Sequence, residues 1–187
     1  MKKRRPDIRV VPASAEHIGT IAKRMRRQDR DEVMAASGKM PREALEFSLL
    51  KSTIAYTGTV DGRPEVMFGA GDINILNGIA APWLLGTKAV ERHHVAFLRH
   101  SVEWRDQLLR RYSILRNFVD DRNHVSIRWL RWLGFTLSDP VMMNGHAFRL
   151  FELRSTDVRF DHGAHSRLNP SGGGRTGAAG AGAGKRV

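Results

Sequence analysis

The chain has 187 residues and no cysteine, which excludes disulfides and thiolate metal sites. Apolar residues make up 41 %, enough for one core, and no apolar run approaches the ~18 residues that a membrane span needs. The formal charge of +12 suggests an acidic partner, yet much of it sits at the ends: residues 1–9 carry five Lys and Arg against one acid, and residues 155–187 five against two.

Residues 1–7 read as a basic arm, because no apolar run follows Met1 to Arg5 as it would in a signal peptide. Ile8 to Val11 is a β-branched run that Pro12-Ala13-Ser14 ends. Ser14 then caps a helix whose Ile18, Ile21, Ala22 and Met25 recur at helical spacing, with Lys23, Arg24, Arg26 and Arg27 opposite. The pattern breaks at Ser37-Gly38, and Pro41 opens a second helix that ends near Ser52. Thr53 to Val60, the turn Asp61-Gly62 and Pro64 to Gly71 form a hairpin, which Ile73 to Leu76 extends as far as a second turn at Asn77-Gly78.

Ile79 to Thr87 reads as a strand that Pro82 bends or bulges. Glu91 to Tyr112 is the longest helix, with Val95, Leu98, Val102, Leu109 and Tyr112 on one side and Phe97, Trp104 and Leu108 widening that face. A strand from Ile114 to Asp120 precedes a helix with both ends marked, Asn123 as its N-cap and Gly134 as its left-handed exit. At ~100° per residue, Val125, Ile127, Trp129, Leu130, Trp132 and Leu133 cover about 220° of that helix and leave Arg128 and Arg131 a narrow basic edge. Thr136 to Met143, Asn144-Gly145 and Ala147 to Leu153 read as an edge hairpin, and the Gly/Ala-rich residues 155–187 as a disordered tail. The body, 8–154, is thus one α+β (mixed α/β) domain with a central sheet and helices on its faces.

Standard constellations are missing: there is no G-x-G-x-x-G, no phosphate loop G-x-x-x-x-G-K-[ST], no G-x-S-x-G and no H-E-x-x-H. His93, His94 and His100 are too scattered around a helix to share an ion, so no metal is expected. Asp120 and Asp121 read as caps of the following helix or as a general base. Trp83, Trp104, Trp129 and Trp132 would serve as stacking platforms on a nucleic-acid surface, but three of them fall on apolar helix sides, where core packing is the plainer use. The basic tails give non-specific nucleic-acid contact or only aid solubility.

The element order and Asn123 to Phe135 resemble the Gcn5-related N-acetyltransferase fold, whose last helix follows N-x-x-A-x-x-L-Y-x-x-x-G-F. Asn123, Ser126, Trp129, Leu130, Gly134 and Phe135 occupy those places. The resemblance implies a mostly antiparallel sheet whose parallel fourth and fifth strands splay to admit the pantetheine arm of acetyl-CoA. By position, Trp83, Leu84 and Leu85 would be the wedge strand, and Gly86, Thr87, Lys88 and Ala89 the phosphate loop. Asn123 would face the cysteamine end. Two departures accompany it: Thr87 to Arg92 lack the family's loop glycines, and Leu130 replaces the tyrosine that protonates the leaving thiolate. Asp120, His124 or a water would then be the base.

A longer likeness covers about residues 8–153. A-P-W-L-L-G-T, D-R-D-E-V-M-A-A-S-G and D-x-R-N-x-x-S-I-R-W-L-R-W-L-G-F resemble small virion-associated phage proteins, related to the gene-thirteen internal virion protein of T7-like podophages. That likeness implies a protein of the infected bacterial host cytoplasm or the virion, with other virion or assembly proteins as partners. Three functions follow for testing. The first is a virion or assembly protein of acetyltransferase fold that retains acetyl-CoA binding. The second is an active N-acyltransferase, and the third a basic nucleic-acid-binding accessory protein.

Overall fold

A computed structural model describes residues 5–158; residues 1–4 and most of the expected tail lie outside the described residues. The sheet has eight strands. The first, β1 (Ile8–Pro12), pairs antiparallel with β2 (Ile54–Val60), which turns at Asp61-Gly62 into β3 (Arg63–Asn74). Both turn residues have positive φ, 49° and 78°, which matches the right-handed twist of the flanking strands. Next in order come β4 (Ile79–Gly86), β5 (Ile114–Asp120) and β8 (His146–Arg154), and β8 also carries the short β6 (Thr136–Leu137) and β7 (Val141–Met143). Only β4 and β5 run parallel.

Three helices, α1 (Ala15–Arg24), α2 (Arg27–Ser37) and α3 (Pro41–Leu50), precede β2. Ile18, Ile21, Met25 and Leu45 from this group bury Met67 of β3. The other face carries α4 (Ala89–Arg92), α5 (His94–Arg111) and α6 (His124–Trp132), and its core joins Leu108, Leu109, Leu115, Val119, Leu130 and Phe151. Completely burying side chains such as Leu45 and Met67 contributes about 1.5–3 kcal/mol each.

The caps behave as expected. Ser14 Oγ accepts the Glu16 N–H at 3.3 Å, and Asn123 Oδ1 accepts the Ser126 N–H at 3.2 Å. Gly134 exits α6 at φ 94°, and the Phe135 N–H returns to the Leu130 carbonyl at 3.0 Å.

Several expectations need correction, each for a tertiary reason. The single helix expected after Ser14 breaks at Met25, whose backbone becomes extended and bridges to Thr87, while the Arg26 N–H donates to the Gly86 carbonyl at 2.9 Å. The long helix expected from Glu91 is interrupted at His93 (φ −110°, ψ 34°), and Val95 is 72 % exposed. The buried face of α6 is narrower than 220°: Ile127, Leu130 and Leu133 are buried, but Trp132 is 55 % exposed. Thr136 to Met143 forms two strands rather than one, and β8 lies inside the sheet between β5 and those strands rather than at an edge. Past Arg154, Ser155–Asp157 form a turn of 3₁₀ helix.

Pro82 does not bulge β4. It stays in register opposite Ala70, and the irregularity falls across the strand pair at Asp72/Asn74. Close packing over β4 instead requires a glycine at position 69, opposite Trp83. A Cβ there would stand 2.5 Å from the Ile54 carbonyl oxygen and 3.0 Å from Trp83 Nε1. Gly69→Ala is therefore expected to destabilise the chain by about 1–3 kcal/mol, read as a fall of several degrees in thermal unfolding followed by circular dichroism.

Candidate active site

The site begins where β4 and β5 part. They pair only at Ile79↔Ile114 and Ala80↔Leu115. Beyond that, Pro82 turns its carbonyl toward β5 and has no N–H to offer, so the parallel ladder stops. Asn117 Nδ2 bridges the gap to the Pro82 carbonyl at 3.0 Å. The Thr87 N–H donates to the Glu65 carbonyl at 2.8 Å, which fixes the alternation along β4. The N–H and C=O of Leu84, two residues beyond Pro82, therefore face the open wedge.

A cavity of about 370 Å³ occupies this wedge and is lined from both faces of the sheet. From the α5–α6 side come Trp104, Leu108, Ser126, Trp129 and Leu130; from the α2–α3 side come Glu32, Val33, Ala36 and Phe47. The sheet is thus pierced between its two middle strands, with helices at both mouths.

Of the residues singled out in the sequence, Trp83, Leu84 and Leu85 do line this cavity. The Trp83 indole leans onto the α1–α3 core and donates to Ser52 Oγ at 2.8 Å. The segment Gly86 to Ala89 is tied into the fold instead. The Gly86 N–H donates to Asp29 Oδ2 at 2.8 Å, and its carbonyl accepts from Arg26. Thr87 is 1 % exposed; its hydroxyl donates to Glu65 and accepts the Ala89 N–H at 3.2 Å. Lys88 is exposed. The first amides of α4 are therefore consumed within the turn.

Asn123 is 5 % exposed and is not among the cavity's lining residues. Its Nδ2 donates to Glu32 Oε2 at 2.7 Å, while its Oδ1 caps α6. One side chain thus joins α6 to α2 across the end of β5. Burial, with the negative charges of Asp29 and Asp120 nearby, pushes the Glu32 carboxyl up to about 7 against the opposing hydrogen bond from Asn123. A carboxyl with that pKa, on the wall of a cavity, is suited to accept a proton near neutral pH.

The bases named from the sequence are placed elsewhere. Asp120 is buried, which opposes ionisation, but the hydrogen bonds and charge of Arg122 outweigh burial and hold it below the ordinary carboxylate range. It shapes the turn before α6 and does not line the cavity. Asp121 pairs with Arg149 Nε at 2.5 Å, and His124 is exposed and outside the lining. Glu32 escaped sequence reading because the run R-Q-D-R-D-E looks like a solvated face. Its signal was positional: Asp29, Glu32, Val33 and Ala36 share one helical stripe, which puts two carboxylates among apolar neighbours.

The raised pKa has a stability consequence of fixed sign. Between the unfolded value near 4.3 and about 7, the folded chain holds a proton that the unfolded chain releases, so stability falls as pH rises through that window. Glu32→Gln cannot titrate. The wild-type chain is expected to lose on the order of 2 kcal/mol relative to this variant between pH 4.5 and pH 8, measured by urea denaturation of both at each pH. Equal pH dependence of the two would remove Glu32 as the source.

Among the described residues, no group of three or more His, Cys, Asp or Glu side chains could hold a metal ion. No helix among them is long and apolar enough to cross a membrane.

This architecture is the fold of Gcn5-related N-acetyltransferases: a mostly antiparallel sheet with a splayed parallel pair at its middle and helices on both faces. The solved structures similar to it include an acetyltransferase of that family from Streptococcus pneumoniae (TM-score 0.52, 12 % identity, 79 % of this chain and 99 % of that one). An N-acetyltransferase from Staphylococcus aureus Mu50 gives a TM-score of 0.57 at 12 % identity over 80 % and 99 %. YncA of Salmonella typhimurium, assigned as an acetyltransferase and solved with its cofactor acetyl-CoA, gives 0.58 at 14 % identity over 86 % and 99 %. The sequence matches no protein-family model and no curated protein.

Proposed function

We propose that the chain binds acetyl-CoA in the wedge between β4 and β5 and moves its acetyl group to an amine, with Glu32 as the general base. The observation that carries this reading is the Glu32 carboxyl on the wall of a cavity lined from both faces of the sheet, held there by a hydrogen bond from Asn123 behind it. The residues present suit the cofactor's pantetheine arm. The Leu84 backbone faces the wedge, apolar side chains from both helical layers line it, and Trp129 Nε1 is a buried donor without a partner among the described residues. The diphosphate would rely on Lys88 and Arg92, which are exposed on α4 and its cap, since the amides of Ala89 and Val90 are bonded within the turn.

Acetyl-CoA would supply an acetyl group whose bond to sulfur is exchanged for a bond to the acceptor nitrogen. Glu32 takes the proton that the amine gives up, and Asn123 holds the carboxylate in place. Leu130, buried on the cavity wall, has no proton to give, so the sulfur is protonated by water. A virion or assembly role rests on the sequence resemblance alone. The reading is tested by incubating the chain with acetyl-CoA and a primary amine and following free thiol. The chain has no cysteine, so all thiol signal comes from the cofactor. Amine-dependent thiol release above the rate without protein is expected; its absence across several amines defeats the transfer.

A further inference from the structure

We propose that the end of the sheet bearing the β3–β4 turn docks on an anionic lipid surface, with Ile75 and Leu76 entering its interface. The proposal is independent of acetyl transfer.

The turn, Ile75 to Gly78, closes without its apolar side chains. The Asn77 N–H donates to Asn74 Oδ1 at 3.0 Å, and the Gly78 N–H donates to the Ile75 carbonyl at 3.1 Å. Polar residues suit such a turn, yet Ile75 and Leu76 stand at its apex. Just before it, Ile73 is the extra residue of the strand irregularity, without a partner on β4 between Asp72 and Asn74. The end of α3 lies alongside: a Cβ at Gly71 would stand 2.5 Å from the Lys51 carbonyl oxygen. Among the described residues, the three most exposed large apolar side chains are Leu76 at 97 % and Ile75 and Leu50 at 79 % each, and Ile73 is 56 % exposed. A single exposed leucine is ordinary, but the extremes of the whole surface gathered at one end mark an interaction site.

The flanks are basic. Lys51 is exposed beside β3, with Nζ 6.0 Å from the centroid of the Phe47 ring. On β3 itself, Asp72 Oδ1 accepts the Tyr112 hydroxyl at 2.6 Å, and Arg111 lies over that tyrosine with Cζ 5.6 Å from its ring centroid. Arg110 and Arg111 are both exposed. Three acids at this end, Asp72, Glu152 and Asp157, already have partners in Tyr112 and Arg154. The Ser155 N–H donates to the Ser113 carbonyl at 3.0 Å, so β8 ends here too and the chain continues past Val158 from this end. Beyond Val158 it carries five Lys and Arg against one Asp, and its large apolar residues are Phe160, Leu168 and Val187.

Apolar side chains at an apex with cations beside them match a membrane interface, where phosphates meet the cations and the apex reaches the acyl boundary. A second copy would set like charges against each other. The wedge stays clear, because β4 and β5 are still paired at this end, at Ile79↔Ile114, and part toward the other.

The test is flotation of the full chain with vesicles of phosphatidylcholine alone, or of phosphatidylcholine and phosphatidylglycerol in equal parts. Binding to the mixed vesicles is expected to be at least about ten-fold stronger, and to weaken with salt. Replacing Ile75 and Leu76 together by Asp is expected to lower it about ten-fold, and replacing both by Ala several-fold without any change of charge. Val95→Asp, at an equally open apolar position on α5, is expected to leave it unchanged. No binding to the mixed vesicles, or binding that the Ile75 and Leu76 variants leave intact, overturns the proposal. The second result, with equal binding to duplex DNA, would assign the attraction to basic charge alone. A dimer in size-exclusion chromatography that the Asp variant converts to monomer would assign the apex to a second copy, and would overturn it as well.

Discussion

Glu32→Gln is expected to lower kcat/KM for amine acetylation by about 10²- to 10³-fold while leaving acetyl-CoA affinity within about two-fold. Glutamine keeps the size of the side chain and an oxygen for Asn123 Nδ2, which lies 2.7 Å away, so packing and the α6 cap survive. What it removes is a proton acceptor with a pKa of about 7. The wild-type profile of kcat/KM against pH should rise with a limb near 7 and flatten above it, and the variant should lack that limb. Asn123→Ala separates position from charge. Its hydrogen bond lowers the Glu32 pKa, so without it the limb moves upward. Loss of the α6 cap costs about 1 kcal/mol of stability besides. A Glu32→Gln variant with the wild-type rate and limb would assign the base elsewhere.

The second large effect is on stability. Asp29→Ala is expected to cost about 3–5 kcal/mol, a fall in Tm on the order of 10 °C. Asp29 is 3 % exposed and its carboxylate holds two groups at once, the Arg26 guanidinium and the Gly86 N–H. Removing it leaves Arg26, itself 6 % exposed, as a buried charge without its partner, and it removes one of the ties between the end of β4 and the α1–α2 junction, the Gly86 N–H bond. Asp29→Asn restores an oxygen for Gly86 but not the charge, so an intermediate loss is expected. The junction matters for chemistry because α2 carries Glu32 one turn further on. A variant that unfolds within about 1 kcal/mol of wild type would show that Arg26 is solvated rather than held by Asp29.

Much of the fold was legible in residues that act locally. Ser14, Asp61-Gly62, Asn123 and Gly134 mark caps and turns whose geometry depends on near neighbours, and the structure uses each in that role. The acetyltransferase fold was legible from the same helix, through Asn123, Gly134 and Phe135. What escaped were features set by distant partners. No proline or glycine marks the break at Met25; it exists because Thr87 and Gly86, some sixty residues on, pair with that backbone. The effect of Pro82 was read as a bend or a bulge; there is no bulge at Pro82, and its missing N–H helps end the β4–β5 ladder.

The candidate site shows the same division. Trp83, Leu84 and Leu85 were found by position in a known pattern, and they line the wedge. Glu32 was not, because a carboxylate acquires a pKa near 7 only from what folds around it, here burial first and then the charges of Asp29 and Asp120, acting against the hydrogen bond from Asn123. The turn from Gly86 to Ala89 carries its own lesson: lacking the loop glycines, it spends the Ala89 N–H on the Thr87 hydroxyl. Any diphosphate held there would depend more on side-chain charge than on free amides, so its binding should weaken with salt.

The most direct measurement is therefore calorimetric titration of the full chain with acetyl-CoA at low salt. One site per chain with a Kd in the range of about 1–100 μM is expected, unchanged within about two-fold in Glu32→Gln and weakened when Lys88 and Arg92 are both replaced by alanine. No heat at about 1 mM ligand, in a chain that unfolds cooperatively and is therefore folded, would contradict a cofactor wedge between β4 and β5.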